Sequence, residues 1–375
     1  MKRNYKVGII GFGHMHINNV ALHFAENPRT DLVSCSDVKP LVEELRAAPY
    51  TREWNMEHAL TKLGVKRGYD CYQEMLEKEK LDLVILTTEV ERHKEIAIAC
   101  AKRGIGVCIE KPMAMSFSHG AAMVREAEGN HSLMMVNWPI TWNGAARKMK
   151  ELVDGGAIGT VLQFKHRAAH TGPLGFGAKH AGITETAAPM TEYEKAHTWW
   201  HQKAAGGGAM LDFCCYGCLV GRWMVGEQAQ AAFGLQMNLA STWGDAEDNS
   251  AMIVRFPNAF AVLEGSWTTF NNGVPAGPIL YGTEGTMFMD QADGKAVIRI
   301  ISADGKNQTI EGDPLPENRR DIAEEYVHHM DTGEPLHITL DKRFNLEALS
   351  ILDAGLRSAA SGKLEPVNDE KWSIG

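Results

Sequence analysis

Gly11-Phe12-Gly13-His14-Met15-His16 follows directly on the apolar run Lys6-Val7-Gly8-Ile9-Ile10, an order of residues that cradles a dinucleotide. The first glycine permits a tight turn and the second lets backbone approach a pyrophosphate, whose charge then meets amides at the start of a helix. His16 stands where a third glycine is usual. Asp37 ends the next β-rich run, where a carboxylate accepts hydrogen bonds from the adenosine ribose hydroxyls. Gly11, Phe12, Gly13, His14, Met15 and Asp37 are therefore the expected cofactor contacts. The same carboxylate repels a 2′-phosphate, which favours NAD over NADP, and Lys39 softens that preference. Farther on, Gly206-Gly207-Gly208 precedes an apolar stretch; if residues 211–223 are helical, Asp212 and Tyr216 project from one face.

The elements that must hold these residues are legible as patterns. Short β-branched runs at residues 6–10, 31–36, 81–86 and 106–110 alternate with helix-like stretches such as 95–104, which closes on Gly104. That alternation implies a doubly wound α/β domain with a parallel sheet. Beyond about residue 135 the pattern changes to strand candidates at 161–165, 251–256, 260–267, 286–290 and 295–301, separated by turns such as Asp293-Gly294. The expected architecture is thus a nucleotide-binding domain over residues 1–130 and an α+β domain over 131–375 on an open, predominantly antiparallel sheet. Residues 173–189 read as a long loop of the kind that carries function.

Composition narrows the partners. With 38 Lys and Arg against 47 Asp and Glu the net charge is −9, and no basic block is present to neutralise a run of phosphates. Nucleic acid is not an expected partner. No segment reads as apolar and uncharged enough to span a bilayer, and the basic first residues lead into a strand rather than a cleavage site. Seven cysteines, four of them in segments that read as core elements, imply reduced thiols and a cytoplasmic home. Cys214-Cys215-Tyr216-Gly217-Cys218 lacks the second pair a structural zinc site requires, and no histidine spacing matches a metal motif, so no metal is expected.

From Glu110-Lys111-Pro112 onward the chain resembles the glucose-fructose oxidoreductase, inositol dehydrogenase and rhizopine-catabolism family. The resemblance runs through Asp154-Gly155-Gly156-Ala157-Ile158-Gly159, the glycine triplet with Asp212, Arg222-Trp223, Gly282-Thr283-Glu284-Gly285-Thr286 and Ser358-Ala359-Ala360-Ser361-Gly362. It implies that Lys111 lies near the nicotinamide and the reacting hydroxyl, and it adds Thr87, His93 and Glu110 to the cofactor contacts. Many relatives carry Asp-x-x-x-His where this chain has Asp212 and Tyr216, so it resembles the tyrosine branch. On that basis Tyr216 takes the hydroxyl proton, a Lys111 whose pKa the cleft can lower stabilises the charge and favours phenolate, and Asp212 orients the substrate.

Other departures bear on substrate. Asn137-Trp138-Pro139 lacks the arginine common in that region, and Thr87-Thr88-Glu89 replaces the common Thr-Pro-Asn. Trp138, Arg167, His170, His197 and Trp200 are the candidate substrate contacts, since indole faces pack on sugar C–H groups and histidines bond hydroxyls. The implied function is NAD(P)-dependent oxidation of a hydroxyl on a sugar, cyclitol or glycoside, in a homodimer or homotetramer. Two alternatives share its first step: a glycoside-cleaving enzyme and a sugar–sugar oxidoreductase, each recycling its NAD. A cofactor-dependent sensor without catalysis is the third reading.

Overall fold

The structure, a computed structural model, describes residues 3–180 and 183–367. Its first half consists of β1 (Tyr5–Ile10), α1 (Ile17–Glu26), β2 (Thr30–Ser36), α2 (Arg52–Thr61), β3 (Gly68–Tyr69), α3 (Tyr72–Lys78), β4 (Leu83–Leu86), α4 (His93–Ala101), β5 (Gly106–Glu110), α5 (Phe117–Gly129) and β6 (Met134–Asn137). The six strands form one sheet in the order β3-β2-β1-β4-β5-β6, with every pair parallel. A parallel sheet is covered on both faces, which is why its central strands are continuous apolar runs: Ile9, Ile10, Leu83, Ile85 and Leu86 are fully buried. Each contributes about 1.5–3 kcal/mol of apolar burial. The sheet extends past residue 130, because β6 pairs with β5.

The second half contains α6 (Gly144–Asp154), β7 (Val161–Ala169), α7 (Glu192–Ala196), α8 (Cys215–Val225), β8 (Ala231–Met237), β9 (Asn249–Arg255), β10 (Phe260–Ser266), β11 (Ile279–Gly282), β12 (Gly285–Ala292), β13 (Lys295–Ser302), β14 (Asn307–Glu311), α9 (Ile322–Thr332), α10 (Lys342–Ser361) and β15 (Glu365–Pro366). Nine strands form a sheet ordered β14-β13-β12-β11-β7-β10-β9-β8-β15. It is antiparallel except where β7 and β10 run side by side. Helices α8 and α10 cover one face. Gly217 permits that contact, since a side chain there would come within 2.7 Å of Leu263.

The chain then returns to the first sheet. Helix α9, capped by Asp321, packs against α1, and Tyr326 meets Phe24 and Tyr5. Residues 203–225 overturn one expectation: by length and composition they are apolar enough to cross a bilayer, yet 89% of their most apolar 18-residue stretch is buried inside the protein. The glycine triplet, the turn after it and α8 thus run through the core, which fixes what they carry.

Candidate active site

The turn after β1 is braced from β4. Gly11 has φ +88°, and a side chain there would run into Thr88. Thr87 Oγ1 donates to Gly11 O at 2.7 Å, and the His14 amide donates to Thr87 O at 3.1 Å. The amides of Gly13 and Met15 have no partner among the described residues, so the turn presents free donors just before α1. Trp199 Nε1 donates to Gly13 O at 2.7 Å, and Trp200 stacks on Trp199. The tryptophan pair therefore clamps the turn from the second domain.

Asp37 lies where expected, with Oδ1 accepting from the Phe12 amide at 3.3 Å and the Val38 amide at 2.8 Å. Arg52, at the start of α2, also bonds that oxygen at 2.6 Å and reaches Glu89 at 2.5 Å. Burial pushes the Asp37 carboxyl up against the pull of Arg52. Glu89, the departure in Thr87-Thr88-Glu89, is fully buried and holds that guanidinium.

Lys111 and Asp212 meet across the two domains. Lys111 follows directly on β5, and its Nζ donates to Asp212 Oδ1 at 2.6 Å and to Asp212 O at 3.0 Å. Trp267 Nε1 donates to Asp212 Oδ2 at 3.1 Å. Asp212 does not begin a regular helix as expected: residues Met210–Cys214 form a π turn before α8, and Tyr216 follows on the first α turn. Such widened turns recur at functional sites because they redirect side chains. Here Asp212 and Tyr216 face the same cavity, and Lys111 Nζ lies 4.8 Å from the centre of the Tyr216 ring.

Two electrostatic expectations are corrected by this geometry. Burial opposes the Lys111 ammonium, but the Asp212 carboxylate beside it shifts its pKa upward rather than downward. Lys111 sits over the ring face of Tyr216, and burial outweighs its influence, so the phenol is held above its ordinary value. The resting site thus contains an ammonium and a neutral phenol.

A cavity of about 540 Å³ joins the turn to these groups, lined by His14, Met15, His16, Lys111, Asp212 and Tyr216 together with His170, Trp200 and residues 171–180. The long loop therefore forms its outer wall; residues 181–182 lie outside the described residues. Three candidate substrate contacts are placed elsewhere. Trp138 is buried behind Tyr216, edge-on at 5.2 Å, with its N–H on Asn345. Arg167 points to the sheet, where it binds Glu264 at 2.8 Å, because β7 continues to Ala169 and carries it along the strand. His197 is half-buried, and its Nδ1 lies 2.7 Å from Tyr193 O, away from the cavity. His93 is buried beneath the site, with Nδ1 at 3.2 Å from Met113 O.

Sequence reasoning missed Arg52, His180 and Trp267, and weighed Trp199, within residues 197–201, equally as sugar-site lining and as packing between the domains. It noted His16 only as a missing glycine. His16 Nδ1 lies 2.9 Å from Glu110 Oε1, and ligand atoms of His14, His16 and Glu110 fall within 4.8 Å of one another. These atoms already serve each other, since the His16 amide also donates to His14 Nδ1 at 3.2 Å. Burial holds His14 well below the usual histidine range, so its ring is neutral.

With the geometry in place, the known relatives are informative. Residues 5–138 match the oxidoreductase family with an NAD-binding Rossmann fold, and residues 146–288 match the GFO/IDH/MocA C-terminal domain. The chain belongs to this family. Myo-inositol 2-dehydrogenase of Thermotoga maritima is 23% identical over 78% of this chain and 77% of its own. The scyllo-inositol 2-dehydrogenase (NAD(+)) of Bacillus subtilis is 23% identical over 83% and 80%. Among solved structures, aldose-aldose oxidoreductase from Caulobacter crescentus shares the fold with TM-score 0.75 and 19% identity, over 97% of this chain and all of its own.

As a GFO/IDH/MocA oxidoreductase the chain carries an NAD-binding domain, and its residues fit the cofactor. The Gly13 and Met15 amides suit a pyrophosphate, Asp37 suits a ribose, and the cavity runs from His14 and Met15 of the turn to Lys111. The thiols are not part of this chemistry: burial pushes Cys214 up to about 12, and all seven cysteines are free.

Proposed function

We propose that the protein is an NAD-dependent dehydrogenase that oxidises a secondary hydroxyl of a sugar or cyclitol. The observation that carries this reading is the cavity in which Lys111, Asp212 and Tyr216 face the glycine turn. The inositol dehydrogenases among its relatives support the substrate class. Bound NAD supplies the hydride acceptor. Lys111 has three N–H donors, of which Asp212 occupies two, leaving one for the substrate oxygen as charge builds on it. The Tyr216 hydroxyl has no hydrogen bond among the described residues and exchanges the proton with that oxygen. Asp212 acts through Lys111 rather than on the substrate, because its two oxygens hold Lys111 and Trp267. His170 and Trp200 contact the substrate from the opposite wall.

Mixing the protein with NAD and free sugars or inositols tests this reading, with reduced cofactor followed free in solution and on the protein. Stoichiometric free NADH is the expected result. Reduced cofactor confined to the protein and consumed by a second sugar points to recycling, which the dehydrogenase relatives do not favour. No reduction of NAD or NADP by any compound overturns the reading.

The proposal extends to assembly and location. Phe233, Leu235 and Met237 on β8, Ile253 on β9 and Phe260 on β10 expose a large apolar area on the uncovered face of the second sheet. That supports a homodimer or homotetramer built on this face, which light scattering tests. The free thiols support a cytoplasmic home.

A further inference from the structure

The cavity that joins the glycine turn to Lys111 is rich in hydrogen-bond donors and poor in acceptors. Asp212 is the one carboxylate among its described lining residues, and its two oxygens already hold Lys111 and Trp267. No Glu, Asn or Gln joins it there among the described residues. The wall formed by residues 170–180 adds little from its backbone, because the carbonyls of His170, Gly172, Gly175, Ala178 and His180 each accept an amide of the protein. A neutral polyol presents an O–H donor on nearly every carbon, and each one left unpaired in an enclosed site weakens binding.

The donors can be assigned to sides of the cavity. His14, His16 and His180 belong with the cofactor turn, where His180 packs edge-on against His16 at 5.7 Å and against Tyr50 at 4.9 Å. His170 instead meets Phe213 edge-on at 4.7 Å, close enough to Lys111 and Asp212 for their charges to act on it. The Gly172 amide donates to His170 Nδ1 at 2.8 Å. An accepting nitrogen carries no proton, so the ring proton is on Nε2 and His170 offers an N–H. Lys179 is exposed on the same wall with no carboxylate in ion-pair range among the described residues, and it adds a charged donor. Trp200 can only donate, and Lys111 keeps one N–H free.

We propose that the substrate is a sugar acid, a uronate or an aldonate, whose carboxylate lies between His170 and Lys179 while the hydroxyl to be oxidised meets Lys111 and Tyr216. An ionised carboxylate only accepts, and its hydrogen bonds to N–H groups are of the strong, charge-assisted kind. A neutral sugar leaves the same donors without a charged partner, so the donor excess becomes specificity. The inference rests on the dehydrogenase reading. The C–H hydride passes to NAD and the hydroxyl proton leaves by way of Tyr216, so the products are a keto acid and NADH.

The test measures NADH formation from NAD with matched compounds, glucose against glucuronate and gluconate and galactose against galacturonate, and titrates the NADH-loaded protein with each by calorimetry. For at least one pair the acid is expected to exceed its neutral sugar about tenfold or more in kcat/KM and in affinity, the scale of one charge-assisted hydrogen bond. Glucuronate ahead of gluconate identifies a ring acid, and the reverse an open-chain one. Lys179→Gln, a change at an exposed position, and His170→Phe, which keeps a ring against Phe213 without its N–H, are each expected to narrow the gap to about threefold or less. Equal use and equal binding of acid and neutral sugar, or a preference that neither substitution narrows, overturns the proposal and leaves the dehydrogenase reading in place. Preferential binding of an acid without reduction of NAD by any compound keeps the acid site and removes the dehydrogenase reading.

Discussion

Lys111 Nζ and Asp212 Oδ1 lie 2.6 Å apart with both side chains buried, a single ion pair that closes the active site across the two domains. Taking two charges out of water is expensive, and their attraction offsets that cost only while both are present. Removing one partner strands the other, at about 3–5 kcal/mol. Asp212→Asn is therefore expected to lower stability by that order and kcat by about 10²–10³-fold. The double change Lys111→Met with Asp212→Leu should recover stability but no activity. Urea unfolding of the three proteins checks this; an Asp212→Asn protein as stable as its parent would mean the pair does not hold the domains.

The pH dependence follows from Tyr216. Burial raises its pKa above the ordinary tyrosine value, so phenolate is scarce at neutral pH and grows about tenfold per pH unit. If the phenolate accepts the substrate proton, kcat/KM for oxidation climbs steadily from pH 7 to 10. Ketone reduction uses the phenol itself and stays level over the same range. Tyr216→Phe is expected to remove the climb and to cut oxidation by about 10²–10⁴-fold. A profile already level at pH 7 would assign the proton to another group.

What the sequence made legible depended on how local each signal was. The strand-to-glycine turn and Asp37 just after β2 follow from short-range pattern, and Lys111 and Asp212 from motifs shared with the family; the structure places the turn, Lys111 and Asp212 around one cavity, with Asp37 bonded to the turn at Phe12. Arg167 and His197 were chosen as polar groups near strand and loop ends, and nothing local told which way they point. Strand β7 runs four residues farther than its apolar stretch suggested, and Arg167 goes with it to Glu264. The pKa of Lys111 was misjudged for a related reason: burial alone lowers it, and only the partner from a distant segment reverses the sign. Arg52 and Trp267 gave no motif at all, because their roles arise from pairing with Asp37 and Asp212 through the fold.

Cofactor choice is set at Asp37. Its carboxylate occupies one side of Arg52 while Glu89 occupies the other, so the guanidinium has no freedom to bind a phosphate. Asp37→Ser removes the repulsive charge and releases half of that clamp. The expected outcome is a KM for NADP lower by about ten- to a hundredfold, with a matching loss for NAD, the scale of one charge-assisted hydrogen bond. Steady-state kinetics with both cofactors decide it, and unchanged selectivity would place ribose recognition elsewhere.

Trp267 is expected to act as a positioning residue, since its N–H reaches Asp212 Oδ2 but its ring faces away from the catalytic cavity. A hydrogen bond to a carboxylate contributes about 1.5–3 kcal/mol, and without it Asp212 is held by Lys111 alone and is free to turn. Small misplacements of a catalytic group have large effects on rate, so Trp267→Phe is expected to lower kcat about tenfold or more. The KM for NAD should not move, because the glycine turn and Asp37 are untouched. Phenylalanine keeps a flat ring in place, so the KM for substrate should also stay near its parent value while kcat falls. That split separates positioning from general destabilisation, which would weaken cofactor and substrate binding as well. An unchanged kcat would show that the lysine alone fixes Asp212.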